Sequence, residues 1–453
     1  METANPIGQE KISKLLLQFS IPAIIGMVVN ALYNLIDRFF VGKYVGSMGQ
    51  TATTVAFPIP IVILAFGLLI GIGAAATVSI KLGQNKKDEA EHILGNAMVL
   101  VITSSILISI LGLIFLDPLL VLFGASVEVM PLARSFVRII LMGALFQNFG
   151  FGMNHIIRGS GDPKTSMYTM LIGAILNSIL NPLFIHVFNL GIRGSALATV
   201  VSQAVSTIWV LSYLLSSRSL LKIHVKYFKL DTHIIEQIFS IGMSPFLMQL
   251  AASVVTIILN QSLKNHGGDE ALAAMGIINS IANLILMPIF GVNQGAQPII
   301  GFNYGAKKYS RSIHTLKLAI IAGTCISTLG FLLIELFPGP IIGQFSGDDA
   351  TVFNLGIQGL RSYLVMLPLI GFQIVSANYF QAVGKAKISI FLALSRQVIV
   401  LIPVLLILPN IFGLSGIWAA GPTADFTASI LTFIMIHREV KHTRKLTAST
   451  LPV

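Results

Sequence analysis

A single carboxylate, Asp37, lies inside an apolar run that begins near Leu15 and ends near residue 39. An acid at the centre of an inserted helix costs about 2.5–3.5 kcal/mol on insertion scales, so an acid in such a run is a functional candidate. Asn30 and Asn34 precede it by seven and three residues and share much of its helical face. Two other runs bring groups to a comparable depth: Asn177 and Asn181, one turn apart within 167–188, and Thr199 within 192–216. Thr199 lies roughly 12 Å from the outer end of its run at the helical rise. Gln147, Asn148 and Asn154 add polar atoms from a run over 131–155. Together these groups could hold a proton or a small cation. Plainer readings use the same residues: Asp37 could end a helix by pairing with Arg38 or Lys43, and the asparagines could be hydrogen-bonding glue between helices.

A second set of ionisable groups lies further along. Asp425 falls near the middle of a run over 413–437, and Arg396 lies about 12 Å inside a run over 388–408. They could form a structural salt bridge, or act as a gate or proton relay. Glu335 reads as an interfacial acid, and Arg134, Arg138 and Arg361 as arginines that snorkel from span ends.

The elements that must position these groups are helices in a bilayer. Of 453 residues, 55% are hydrophobic and 10% charged, against about a quarter charged in a soluble domain. Runs of roughly 20 apolar residues mark spans. They occur at 15–39, 52–80, 92–116, 131–155, 167–188, 192–216, 236–262, 272–299, 312–337, 354–379, 388–408 and 413–437. Twelve spans put both termini on one side, and that side receives 21 of the 29 Lys and Arg residues. By the positive-inside rule it is the cytoplasmic side. The net charge of +11 is then loop charge and does not indicate nucleic-acid binding. One cysteine, Cys325, excludes an internal disulfide and a cysteine-rich metal site. The first run is too long for the core of a cleavable signal and has no small-residue cleavage site behind it.

No phosphate-binding Gly-x-x-x-x-Gly-Lys-Ser/Thr, His-Glu-x-x-His or Gly-x-Ser-x-Gly occurs. ATP hydrolysis and intramembrane hydrolysis are therefore set aside. The expectation is a transporter, not an enzyme, with no cofactor and an ion gradient as its energy source.

Sequence anchors recur at an offset of about 220: Phe19–Ile21 at Phe239–Ile241, Lys87 at Lys308, Arg138 at Arg361, and Arg158 at Gln381. The domains expected are 1–216, a cytoplasmic linker over 217–235, and 236–453 with a short basic tail. The fold class is an all-α polytopic membrane protein. Its twelve transmembrane helices form two six-helix lobes related by a pseudo-two-fold axis along the membrane normal, with a cavity between them. Pro58, Pro60, Gly67, Gly71 and Gly73 in the second span, and Pro288, Gly291, Gly295 and Pro298 in the eighth, serve close packing or bending.

Three stretches, Gln297–Arg311 ("QPIIGFNYGAKKYSR"), Leu32–Gly46 ("LYNLIDRFFVGKYVG") and Gly159–Met167 ("GSGDPKTSM"), resemble the bacterial multidrug and toxic compound extrusion family. The resemblance implies a V-shaped antiporter that exports cationic amphipathic drugs in exchange for protons or sodium by alternating access. It implies that Asp37 is the ion-coupling carboxylate, grouped with Asn154, Asn177, Asn181 and Thr199. Asn181 stands where many relatives carry an acid, and span seven lacks the acid of some sodium-coupled members. One carboxylate makes a sodium site at Asp37 weak in charge and favours protons.

The substrate cavity is expected to be apolar and Met-rich, with Asn34, Met27, Gln147, Met153, Met243 and Met287 as candidates beside Met248, Met275 and Phe290. The partners expected are small cationic drugs and membrane lipid, around a monomer. The rival readings are a flippase of a lipid-linked saccharide, whose cavity would need cations where only Arg396 lies deep, and an uncoupled channel or scaffold.

Overall fold

The computed structural model describes residues 6–345 and 349–449, except for the side chains of Asn34 and 447–449. Every regular element among them is helical. In hydrocarbon the backbone must satisfy its own N–H and C=O groups, so long apolar runs wind into helices.

The first half supplies α1 (Ile12–Tyr44), α2 (Ser47–Gly83), α3 (Lys87–Ile114), α4 (Met130–Met142 and Ala144–Gly159, bent by 50°), α5 (Pro163–Val187) and α6 (Ile192–Leu215). α7 and α8 form one stretch, Thr232–Gly305, broken at Gly268, where φ of 70° and ψ of −165° leave the helix. Then come α9 (Tyr309–Leu336), α10 (Ala350–Tyr363 and Leu367–Ala382, bent by 51°), α11 (Ala386–Phe412) and α12 (Leu414–Ser449). Among the described residues nine helices are long and apolar enough to cross a membrane, or eleven if each bent pair is one span. Dividing the long stretch at Gly268 gives the twelve expected from the sequence.

The duplication is visible in the backbone. The bends of α4 and α10 agree within a degree. Positive φ angles recur in pairs 222 or 223 residues apart: Gly46 with Gly268, Asn85 with Lys307, Gly161 with Gly384, and Gly191 with Gly413.

Two compact units result. The first comprises Ile25–Phe246; the second comprises residues up to Ile24 together with those from Leu247 onward. The divisions fall inside α1 and α7, within two residues of Pro22 and Pro245. The first turns of each repeat's leading helix therefore fold with the other repeat.

Equivalent glycines admit these exchanged ends. A Cβ on Gly73 of α2 would strike the carbonyl of Ile238 on α7, and one on Gly295 of α8 would strike Ser20 on α1. Only glycine allows backbones that close.

The segments entering the exchanged ends are held by polar side chains. In the second unit Arg311 Nη2 donates to the carbonyls of Ile7 (3.1 Å) and Glu10 (2.6 Å), Asn303 Nδ2 to Ile7 (3.3 Å), and Lys308 Nζ to Gly8 (2.9 Å). In the first unit Asn96 Nδ2 donates to the carbonyls of Tyr227 and Lys229, and its Oδ1 accepts from Asp231 N. Glu91 accepts from Lys222 N and pairs with His224.

Candidate functional site

In the first unit α1, α5 and α6 each contribute two polar residues one turn apart: Tyr33 and Asp37, Asn177 and Asn181, Ser195 and Thr199. The i,i+4 spacing puts each pair on one face, and the three faces converge. Asp37 Oδ1 accepts from Asn181 Nδ2 at 2.5 Å and from Ser195 Oγ at 2.9 Å. The same Asn181 Nδ2 reaches Asn177 Oδ1 at 3.3 Å, and Asn177 Nδ2 donates to Thr199 Oγ1 at 3.2 Å. Beside this ladder of bonds, Tyr33 lies next to Thr199 and Asp37. Asn181 Oδ1 is buried and has no partner among the described residues.

The basic neighbours turn away. Arg38 lies over the Phe57 ring at 5.7 Å, and Lys43 lies over Phe39 and Tyr44 at 5.7 and 5.5 Å. No ion pair among the described residues includes Asp37. The repeat position of Asp37 in α7 is Leu259, buried in an apolar cluster, so this acid belongs to one repeat only.

Depth along a span was the signal for Asp37, Asn177, Asn181 and Thr199, and all four meet. Ser195 and Tyr33 escaped it; each lies one turn from a residue already singled out, a spacing that could have found them. Asn154 of α4 is buried but joins no hydrogen bond with the ladder, and its Oδ1 has no partner among the described residues.

Of the cavity candidates, Met27, Gln147, Met243 and Met287 are half-buried, whereas Met153 is 0 % exposed and offers a ligand no surface in this conformation. Met275 is core for the same reason, and Met248 is exposed. The side chain of Asn34 lies outside the described set.

In the second unit Arg396 Nε donates to Asp425 Oδ1 at 2.5 Å. Arg396 sits in a π-helical stretch, Ser395–Leu401, where an extra residue in the turn swings it towards α12. Tyr363 of α10 lies beside both charges. Two arginines near span ends differ from expectation. Arg134 holds Asp117 through two bonds of 2.7 and 2.8 Å, and Arg361 pairs with Glu335 at 3.4 Å. Acids at neighbouring helix ends give them partners, so they do more than snorkel.

These features define a multi-pass helical membrane protein built by internal duplication, with an acid–amide cluster in one unit and a paired acid in the other. The MatE family model matches residues 22–183 and again 245–407, one match per repeat. The chain belongs to the MatE family, the transporter family that its three motifs resemble. It is 26% identical over 437 residues to the multidrug export protein MepA of Staphylococcus aureus (strain MRSA252), covering 96% of each chain. The solved structure of a MATE multidrug transporter, DinF-BH, is 38% identical with a TM-score of 0.89, covering 95% of this chain and 96% of that one. An outward-facing MATE family transporter of the MOP superfamily superposes with a TM-score of 0.92 at 26% identity, covering 97% and 98%.

Proposed function

We propose that this protein exports cationic amphipathic drugs from the bacterial cytoplasm in exchange for protons, with Asp37 as the coupling acid and both termini cytoplasmic. The observation that carries this reading is that Asp37 takes two hydrogen bonds on one oxygen and has no basic partner, so its charge is free to be met by a proton or by a cation.

The ladder suggests how the two occupants would compete. Ionised Asp37 accepts from Asn181 and Ser195. Once protonated, Asp37 becomes a donor, and the buried Oδ1 of the adjoining Asn181 is an acceptor without a partner among the described residues. Turning the Asn181 amide to receive that proton withdraws Nδ2 from Asn177, which loosens the chain of bonds to Thr199. A carboxylate without its proton keeps its negative charge for a cationic drug. One proton therefore changes both the charge and the packing of α1 against α5 and α6.

Protons rather than sodium suit this cluster because the group opposite Asp37 is an amide and the bonds to Asp37 come from donors. A sodium ion would need several oxygens turned inward at once. The flippase reading is weakened by Arg396, whose charge is already met by Asp425.

The test is efflux of ethidium from cells or proteoliposomes with proton and sodium gradients imposed separately. Efflux driven by an inward proton gradient and abolished by a protonophore is the expected result. Efflux indifferent to both gradients would end the antiporter reading, and sodium dependence would reassign the ion.

A further inference from the structure

A polar stripe descends the buried face of α12. Asp425, Ser429, Thr432, Glu439 and Thr443 are each at most 6 % exposed, and their spacings of four, three, seven and four residues keep them on one side of the helix. α10 runs beside it. The Tyr363 ring packs on Gly421 near Asp425, Phe372 meets Phe433 with ring centroids 6.4 Å apart, and Tyr379 lies beside Glu439 and Thr443. These three contacts fix a parallel register. Gln373 and Ser376 then come level with the interval between Thr432 and Glu439, where α12 offers only Ile436 to its buried face. At about 1.5 Å per residue the combined polar groups follow one another every ~4–6 Å along roughly 21 Å from Asp425 to Glu439.

Each end of the stripe is an ion pair: Arg396 with Asp425, and Lys385 Nζ with both oxygens of Glu439 at 2.7 and 2.6 Å. Between and beside them Ser429 Oγ, Ser376 Oγ, Gln373 Oε1 and Gln381 Nε2 are buried without a partner among the described residues. A merely structural stripe would return its hydroxyls to the helix's own carbonyls, as Thr423 and Thr427 do on the exposed face. Convergent buried polar atoms of this kind take ordered water.

We propose that this stripe is a hydrated proton pathway joining Glu439, at the basic end of α12, to Asp425. A proton entering beside Glu439 moves along water and hydroxyls until a hydronium gives it to the Asp425 carboxylate, leaving a neutral carboxyl and a water. Arg396 remains a guanidinium and loses its counter-charge; the reverse transfer restores the pair. The groups facing Asp425 are Arg396 from α11 and Tyr363 from α10. Those facing Glu439 are Lys385 from the α10–α11 connection, Tyr379 from α10 and Tyr304 from α8. The pathway lies within the second unit and does not depend on Asp37 being the coupling acid.

The test is infrared spectroscopy of the full-length protein in lipid, without drug, during pH steps and transfer to D2O. The Asp425 carboxyl band is assigned as the one that shifts in Asp425→Glu. It is expected to appear on acidification and to exchange within the mixing time. Thr432→Val removes a hydroxyl at nearly constant shape, and Ser376→Ala with Ser429→Ala removes two more. The triple variant should slow exchange of that band about tenfold or more. Exchange at the wild-type rate, or no band that responds to Asp425→Glu, overturns the pathway. Should the triple variant fail to fold, Thr432→Val alone is read by the same two criteria. Because no drug and no imposed gradient enter the measurement, it stands apart from the outcome of the efflux test.

Discussion

Asn181 on α5 places its Nδ2 2.5 Å from Oδ1 of Asp37 on α1, a contact across 144 residues of chain. An amide in that place supplies a donor to a charge that has no cation of its own.

Asp37→Asn keeps the size of the side chain and its hydrogen bonds but removes the titratable charge. We expect normal expression and a normal elution profile in detergent, with ethidium efflux at the level of cells lacking the protein. Efflux at the wild-type rate would remove Asp37 from the mechanism.

Ser195→Ala deletes one of the two donors. A hydrogen bond to a charged group contributes about 1.5–3 kcal/mol, so efflux should fall roughly ten- to a hundredfold while folding is retained, a loss read directly in transport assays. An unchanged rate would leave Asn181 as the only donor of consequence.

Asn181→Asp puts a second carboxylate beside the first. Two acids give a cation site the charge that the single acid lacks. The variant is expected to gain efflux driven by a sodium gradient, measured at fixed pH with the proton gradient collapsed; a response to protons alone would argue against it.

Asp425→Asn strands the Arg396 guanidinium. Breaking a fully buried pair by removing one partner costs about 3–5 kcal/mol; with Asp425 buried and the Arg396 side chain 32% exposed the loss is smaller, but the yield of monodisperse protein and its melting temperature should both drop. Replacing both residues, as Arg396→Met with Asp425→Leu, should recover most of the folded protein, since neither charge is then left alone.

Gly371→Ala tests a close helix approach. A Cβ there would overlap the carbonyl of Gly323, backbone against backbone. α9 and α10 would have to separate, and a lower melting temperature is expected, whereas Gly276→Ala, which meets nothing within 4 Å, should leave it unchanged.

Much of this architecture was legible beforehand because a bilayer leaves few choices: long apolar runs became the twelve spans, and loop charge and repeated anchors ordered them. Asp37 and Asn181 were legible because polar groups are rare at that depth. Ser195 was not singled out, because a serine hydroxyl is cheap to bury in a membrane helix and draws no notice by depth alone, although its spacing of one turn from Thr199 marks it. Asn154 has the right chemistry at a plausible depth and is buried on α4, with no hydrogen bond to the ladder among the described residues. Arg134 looked solitary because its partner, Asp117, lies on a short helix outside the spans. The motif from Gln297 to Arg311 identified the family without revealing its local work, which is to hold the carbonyls of Ile7, Gly8 and Glu10.

The exchanged ends of α1 and α7 also set an order for biogenesis. Residues 12–24 leave the ribosome first, yet the helices they pack with begin only after Leu247. At about 5–20 residues per second they wait on the order of ten seconds or more for those partners. Neither half-gene encodes a complete folding unit, so a nascent chain cannot finish one half before the other has been synthesised.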